Sequence, residues 1–189
     1  MNEELDFVQE MFDRIAPRYD FLNRLLSLRQ DTIWRSQMVK AAQLPKDSRI
    51  LDVACGTCDV ALEVSDQLNG RVSIIGLDFS LGMLRLGLEK LAKLRNENIS
   101  LINADALHIP IKPHLFDGVF IAFGIRNIMD RFGAVESFFH SLRDGGRLVV
   151  LELTTPEKGL LRSLYLFYFQ KILPLIGSFF SKHQNAYSY

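Results

Sequence analysis

Arg49-Ile-Leu-Asp-Val-Ala-Cys-Gly-Thr-Cys-Asp59 is the stretch whose reading decides the fold. Ile50 to Ala54 is an apolar run with the length and composition of a short buried strand, and it carries an acid, Asp52. Cys55-Gly56-Thr57-Cys58 follows as a tight turn of small residues. Asp59 then opens an amphipathic helix whose apolar positions are Val60, Ala61, Leu62, Val64 and Leu68. Strand, small-residue turn and helix form the opening unit of a nucleotide-binding α/β domain, in which the turn lets backbone approach a ligand closely. A second strand, predicted over 72–77, ends in Asp78, 22 residues after Gly56. Such folds place an acid for ribose hydroxyls at an offset of ~20 residues.

Outward from this unit the pattern keeps alternating. Upstream, Phe7, Val8, Met11, Phe12 and Ile15 recur at helical spacing until Pro17, and a further helix over about 32–43 carries Trp34. Residues 1–45 are therefore expected to form a helical lid region before a cofactor-binding core over 46–155. Downstream, Ser80 is a predicted N-cap for a helix to about 94. Strands are predicted over 100–102, 116–123 and 147–153. A helix over 130–143 is predicted to turn Phe132, Val135, Phe138, Phe139 and Leu142 inward, with Asp144-Gly145-Gly146 as its terminal turn. Alternating strands and helices imply a mostly parallel sheet with helices on both faces, a Rossmann-like α/β architecture. Ligands then belong at the strand C-termini, where Gly56, Thr57, Asp78, Asn103 to Asp105 and Gly124 to Asn127 fall.

Composition narrows the function. Hydrophobic residues make up 48% of the 189 and charged residues 23%, an ordinary globular balance and enough chain for one domain. Lys+Arg and Asp+Glu stand at 22 each, with no basic cluster to hold a phosphate backbone, so nucleic acid is not an expected partner. The acidic, polar N-terminus is unlike a signal peptide, and two cysteines make no disulfide framework; a cytoplasmic location is expected. Residues 160–181 are strongly apolar and aromatic, yet Arg162, Gln170, Lys171 and Pro174 interrupt the ~18 apolar residues that a membrane span needs. That stretch reads as an amphipathic helical segment, suited either to burial against the sheet or to peripheral membrane contact.

Four chemistries compete for the turn at 55–58. A dinucleotide dehydrogenase wants three glycines in G-x-G-x-x-G, and only Gly56 is present. Cys55-x-x-Cys58 has thiol-redox spacing, but that chemistry has no use for Asp52, Asp59 or Asp78. Two cysteines are too few for a structural zinc site, and His108, His114, His140 and His183 are scattered, so no metal is expected. Small residues closing a purely structural turn are a third reading. The fourth is a methyltransferase using S-adenosylmethionine, which has no phosphate and needs acids and close backbone instead. Asp52 suits the aminoacyl end, Gly56 lets the chain pass under the cofactor, Asp78 can accept both ribose hydroxyls, and Asp105 can accept from the adenine amine.

The wording of the motifs carries a resemblance. Phe12-Asp-Arg-Ile-Ala-Pro-Arg-Tyr-Asp20 with Asn23, Leu51 to Asp59, Gly76-Leu-Asp-Phe-Ser-Leu-Gly-Met-Leu84, Asn103-Ala-Asp-Ala-Leu107 and Phe123-Gly-Ile-Arg-Asn127 resemble the signatures of the ubiquinone/menaquinone biosynthesis C-methyltransferases. The resemblance implies a class I methyltransferase fold and C-methylation of a polyprenylated quinol, demethylmenaquinol first and the benzoquinol intermediate of ubiquinone synthesis second. A non-catalytic cofactor- or partner-binding remnant is the reading of another class. It also implies that Thr57, Asp78, Asn103 and Ala104 contact the cofactor, completing a set with Asp52, Gly56, Asp59 and Asp105. Tyr19, Arg126 and Asn127 are implied to face the quinol.

Two departures stand out. Cys58 replaces the second glycine of the family's Gly-Thr-Gly-Asp, a substitution that is costly only if the position needs positive φ. The family also continues into a final strand pair that has no counterpart within these residues. The last strand is therefore expected to present an apolar edge that a partner, a second copy or residues 160–181 would cover.

Overall fold

Five short runs rich in Val, Ile, Leu and Phe make the sheet: β1 (Ser48–Val53), β2 (Val72–Asp78), β3 (Ile99–Asn103), β4 (Phe116–Ala122) and β5 (Leu142–Leu151). The computed structural model describes Phe12, Asp13, Ala16 and residues 19–154; the apolar stretch at 160–181 lies outside them. The strand order is β3-β2-β1-β4-β5, and every neighbouring pair is parallel. Because strand side chains alternate, Ile50, Ile74 and Phe120 face one core, while Leu51, Val53, Leu77, Val119 and Ile121 face a second. Among the described residues β5 pairs with β4 alone, as expected for the outer strand.

Helices α1 (Gln30–Ala42), α2 (Asp59–Gln67) and α3 (Leu81–Leu94) close the first core with Met38, Val39, Ala42, Val60, Ala61, Val64, Leu84 and Leu91. Helix α4 (Arg131–Ser141) and the loop residues Ala104, Ala106, Leu107, Ile109 and Ile111 close the second. The caps are local and chemical. Ser80 Oγ accepts from Met83 N at 3.1 Å to start α3, and Asp130 Oδ1 accepts from Gly133 N at 2.8 Å to start α4. Among the described residues no helix is long and apolar enough to cross a membrane.

Helix α4 corrects one expectation. Ala134 and Phe138 are fully buried and Leu142 nearly so, but Phe132 and Phe139 are exposed and Val135 partly so. At about 100° per residue, positions 132, 135 and 139 share one stripe and 134, 138 and 141 the opposite one. Both stripes are apolar enough to be buried; the sheet takes the second, where Phe138 meets the second core. The strand β5 also starts earlier than predicted, at Leu142, with a register break opposite Phe116 to Gly118 that absorbs Asp144 to Gly146.

The Cys58 question has a definite answer. Cys58 sits at φ 71°, ψ 22°, immediately before α2, in the left-handed region where an L side chain costs ~1–2 kcal/mol. Its thiol is fully buried, and a Cβ added at Gly87 would lie 2.7 Å from the Cys58 sulfur. A small residue on α3 thus makes the room that Cys58 occupies. Gly87→Ala should destabilise the protein by about 1–3 kcal/mol in urea unfolding, from overpacking. In a Cys58→Gly background the same change should be neutral or mildly stabilising, since alanine is the better helix former by ~1 kcal/mol. Additive effects of the two substitutions would show that Gly87 does not accommodate the thiol.

Candidate functional site

The chain leaves β1 and β4 in opposite directions across the sheet, so the loops after these neighbouring strands part and open a crevice at their C-terminal ends. Both loops begin in left-handed conformations, at Ala54 (φ 52°) and Phe123 (φ 57°). Gly56 is left-handed as well (φ 54°), and a Cβ built there would meet nothing within 4 Å. The backbone at the tip of the turn therefore borders open space, the arrangement a closely approaching ligand requires.

Two buried acids stand at the strand ends on this edge. Asp78, at the end of β2, accepts from Gly56 N (2.7 Å, Oδ2) and Ser80 N (2.9 Å, Oδ1), so it shapes the turn that was expected to lie beside it. Burial nevertheless raises its pKa above the ordinary carboxylate value, against the pull of these N–H groups. Asp52, 1% exposed, accepts from Ala61 N at 3.1 Å. Burial pushes its carboxyl up to about 8; the Ala61 N–H opposes the shift and the charge of Asp78 adds to it. Two carboxyls that interact in a poorly solvated place are a prepared seat for a cation.

The remaining expected cofactor residues divide. Asn103 and Ala104 follow β3 on the same edge: Asn103 Nδ2 donates to the carbonyls of Asp78 (3.0 Å) and Phe79 (2.9 Å), and Ala104 N to Asp78 O (3.1 Å). They brace the segment that carries Asp78. Asp105 lies on that edge too, but its carboxylate accepts from Leu107 N at 2.9 Å within its own loop, so only the acids at 52 and 78 are brought into mutual contact by charge. Thr57 is buried with its hydroxyl donating to Asp20 at 2.5 Å. Asp59, at the first turn of α2, pairs with Lys90 (2.8 Å), Arg24 (3.4 Å) and Arg35 (3.8 Å). A cavity of about 500 Å³ adjoins Asp59, lined also by Arg24, Arg35, Glu63 and Lys90. It lies among α1, α2 and α3, and neither Asp52 nor Asp78 lines it, so we do not equate it with the crevice.

Residues 19–26 are helical and begin with Tyr19. Phe12 meets the rings of Tyr19 (6.2 Å) and Phe79 (6.4 Å) edge-on, and Asp13 accepts from Ser80 Oγ (2.5 Å) and Gly82 N (2.9 Å). Burial pushes the Tyr19 phenol above its usual 10, while a hydrogen bond with Asn23 and the charges of Arg35 and Arg126 pull it back. Tyr19 thus keeps its proton at neutral pH and stands within the field of both Arg126 and Asp78. Arg126 lies in a 3₁₀ turn (Ile125–Asn127) after β4. Its guanidinium is held by Glu152 at 3.0 Å, just beyond β5, and its own N–H donates to the same carboxylate at 3.4 Å. Half of the Arg126 side chain remains exposed. The Asn127 side chain makes no hydrogen bond among the described residues and borders the same turn. Trp34 and Arg35 of α1 pack on Phe123, with Arg35 5.3 Å above its ring centre.

Reading from sequence missed Glu152, Lys90 and Arg35. Each is an ordinary charged residue in an ordinary context, and only Asp20, inside the quoted N-terminal signature, had a local signal. The thiol reading finds no support. Cys55 is raised well above 9 by its hydrogen bond with Cys58, by burial and by Asp52, so Cys55 is not a reactive thiolate.

The parallel strands run in the order β3-β2-β1-β4-β5, and the whole chain, residues 1–189, matches one family. The chain belongs to the ubiE/COQ5 methyltransferase family. It is 47% identical over 190 residues to the ubiquinone/menaquinone biosynthesis C-methyltransferase UbiE of Geotalea daltonii, covering all of this chain and 80% of that protein. It is 37% identical to the demethylmenaquinone methyltransferase of Shouchella clausii, over 96% of this chain and 77% of that one. Among solved structures, a SAM-dependent methyltransferase from Aquifex aeolicus superposes with TM-score 0.60 at 17% identity, over 72% of this chain and 77% of its own. The [4+2]-cyclase SpnF does so with TM-score 0.71 at 20% identity, over 80% and 62%. A cyclase on the same scaffold shows that these structural likenesses establish the fold and not the reaction.

Proposed function

We propose that this ubiE/COQ5 family member transfers a methyl group from S-adenosylmethionine to a ring carbon of a polyprenylated quinol, with demethylmenaquinol as the preferred acceptor. Menaquinone is the product class common to both sets of relatives' names, which supports that preference over the benzoquinol of ubiquinone synthesis. The observation that carries the reading is that Tyr19 stands within the field of both Arg126, after β4, and Asp78, whose charge also acts on Asp52.

In this reading Asp78, Asn103 and the turn at Gly56 would hold the cofactor's ribose side, and Asp52 its cationic aminoacyl end. When bound, S-adenosylmethionine supplies a methyl group on a sulfonium, an electrophile for a carbon nucleophile. On the acceptor side, the quinol ring carbon becomes nucleophilic as the neighbouring hydroxyl gives its proton to solvent water. Arg126 offers the positive charge that stabilises the developing phenolate, and Tyr19, which stays protonated, donates a hydrogen bond to it. Asn127 orients the hydroxyl from the same turn. The polyprenyl chain implies work at a membrane surface, as a peripheral rather than a spanning protein. Transfer of labelled methyl to short-chain demethylmenaquinol and to the benzoquinol, each kept reduced, tests this directly. Cofactor binding with no transfer to either acceptor would leave a binding protein in place of an enzyme.

Asp52 supplies a separate test with a definite sign. With its pKa near 8 in the free protein it is largely protonated at pH 7, and a cation seated beside it favours the ionised form. Binding of S-adenosylmethionine at pH 7 should therefore release up to about one proton, read as the dependence of calorimetric enthalpy on the buffer's ionisation enthalpy. The release should vanish at pH 9 and in Asp52→Asn. The same raised pKa means that Asp52 lowers the stability of the free protein as pH rises from about 4 to about 8, because the unfolded chain gives up that proton first. No buffer dependence at pH 7 would remove Asp52 from the cofactor's charged end.

A further inference from the structure

Lys90 extends from α3 to acceptors on two other stretches of chain. Its ammonium donates to Asp20 Oδ2 at 2.5 Å, Asp59 Oδ1 at 2.8 Å and Thr57 Oγ1 at 3.1 Å. An ammonium has three hydrogens, and all three are used. The Thr57 hydroxyl closes the ring by donating to Asp20 Oδ1 at 2.5 Å. Arg24 is the second cation here but stands farther off, 3.4 Å from Asp59 and 3.7 Å from Asp20. The three side chains of the Lys90 cluster are about three-quarters buried or more, so their charges are screened less than those of a surface pair.

The connections matter more than the strength. Asp20 follows Tyr19 directly in the helical segment 19–26, Thr57 lies in the turn after β1, and Asp59 begins α2. Without Lys90, the carboxylates of Asp20 and Asp59 would face one another with the more distant Arg24 between them and Arg35, 3.8 Å from Asp59, on the Asp59 side. The covering segment would then be repelled from the turn it rests on.

We propose that Lys90 is a positioning residue for methyl transfer: by joining Asp20 to Thr57 and Asp59 it seats Tyr19 over the crevice and ties closure of residues 19–26 to the cofactor turn. This rests on the reading that places Tyr19 at the methyl acceptor. Lys90 touches neither reactant; it acts through Asp20 and through the turn.

Hydrogen exchange by mass spectrometry on the full chain, beside steady-state kinetics, decides it. Lys90→Met should speed amide exchange across 19–26 by about tenfold or more and leave β1 and β4 unchanged. It should lower kcat by about 10- to 100-fold, as expected when a catalytic group is displaced by about 1 Å. Lys90→Arg should restore most of both. Adding Asp20→Asn to Lys90→Met should recover part of the protection, because it removes the repulsion. Unchanged exchange over 19–26, or an equal rise throughout the sheet, would overturn the assignment. Tyr19→Phe keeps the two ideas separate: normal kcat in that variant sinks the acceptor-site reading, while the exchange pattern still judges Lys90.

Discussion

Arg126→Ala is expected to lower kcat by about 10²–10³-fold while leaving S-adenosylmethionine affinity within about twofold of wild type. Losing one donor aimed at a developing oxyanion typically costs that much. The structure explains why the loss should fall on kcat. Arg126 leaves β4 in a 3₁₀ turn, on a different loop from Asp78 and Gly56, and its guanidinium is fixed on one side by Glu152 at 3.0 Å. With one edge anchored and half the side chain exposed, the rest of the guanidinium is available to the acceptor without first being ordered. Glu152→Gln should accordingly cost less, about tenfold, because the amide keeps one acceptor oxygen but not the charge. Rapid-quench measurement of the methyl-transfer step is the appropriate check. A wild-type rate in Arg126→Ala would take Arg126 out of the chemistry.

Asp78→Ala should abolish useful cofactor binding, weakening it by about 10²–10³-fold, with a much smaller effect on folding. Two hydrogen bonds to a charged acceptor are worth roughly 1.5–3 kcal/mol each. Under the proposed reading Asp78 has two duties: it accepts from the ribose hydroxyls, and it holds the Gly56 N–H that shapes the turn. Stability should change little because two effects oppose one another. The variant strands the Gly56 and Ser80 N–H groups, but it also removes a buried carboxyl whose raised pKa marks it as costly to ionise. Calorimetric titration together with thermal unfolding separates the two. Loss of fold in step with loss of binding would mean that Asp78 is chiefly structural.

Much of this was legible in the residues themselves. The strand, turn and helix around Asp52 and Gly56 showed through local pattern: apolar runs of strand length, small residues at the turn, and a helical period after it. Ser80 was readable as a cap because capping is a contact three residues long. The faces of α4 were not readable, since Phe132, Val135 and Phe139 are as apolar as the Ala134 and Phe138 stripe. Only the shape of the second core selects between them. The conformation of Cys58 was equally open, because its φ of 71° is imposed by how α2 leaves β1, not by cysteine's own preference.

The order of apolar and small residues by itself determined that this chain builds a parallel sheet with Asp52, Gly56 and Asp78 at one end of it, because those features depend on neighbours within a few positions. Tertiary structure alone decided that Lys90 lies against Asp20, that Glu152 holds Arg126, and that Asp105 turns into its own loop while Asp52 and Asp78 interact. Lys90 and Asp20 are 70 positions apart. A charged side chain carries no local mark of its partner; the pairing exists only once packing of the apolar faces has set the distance between them.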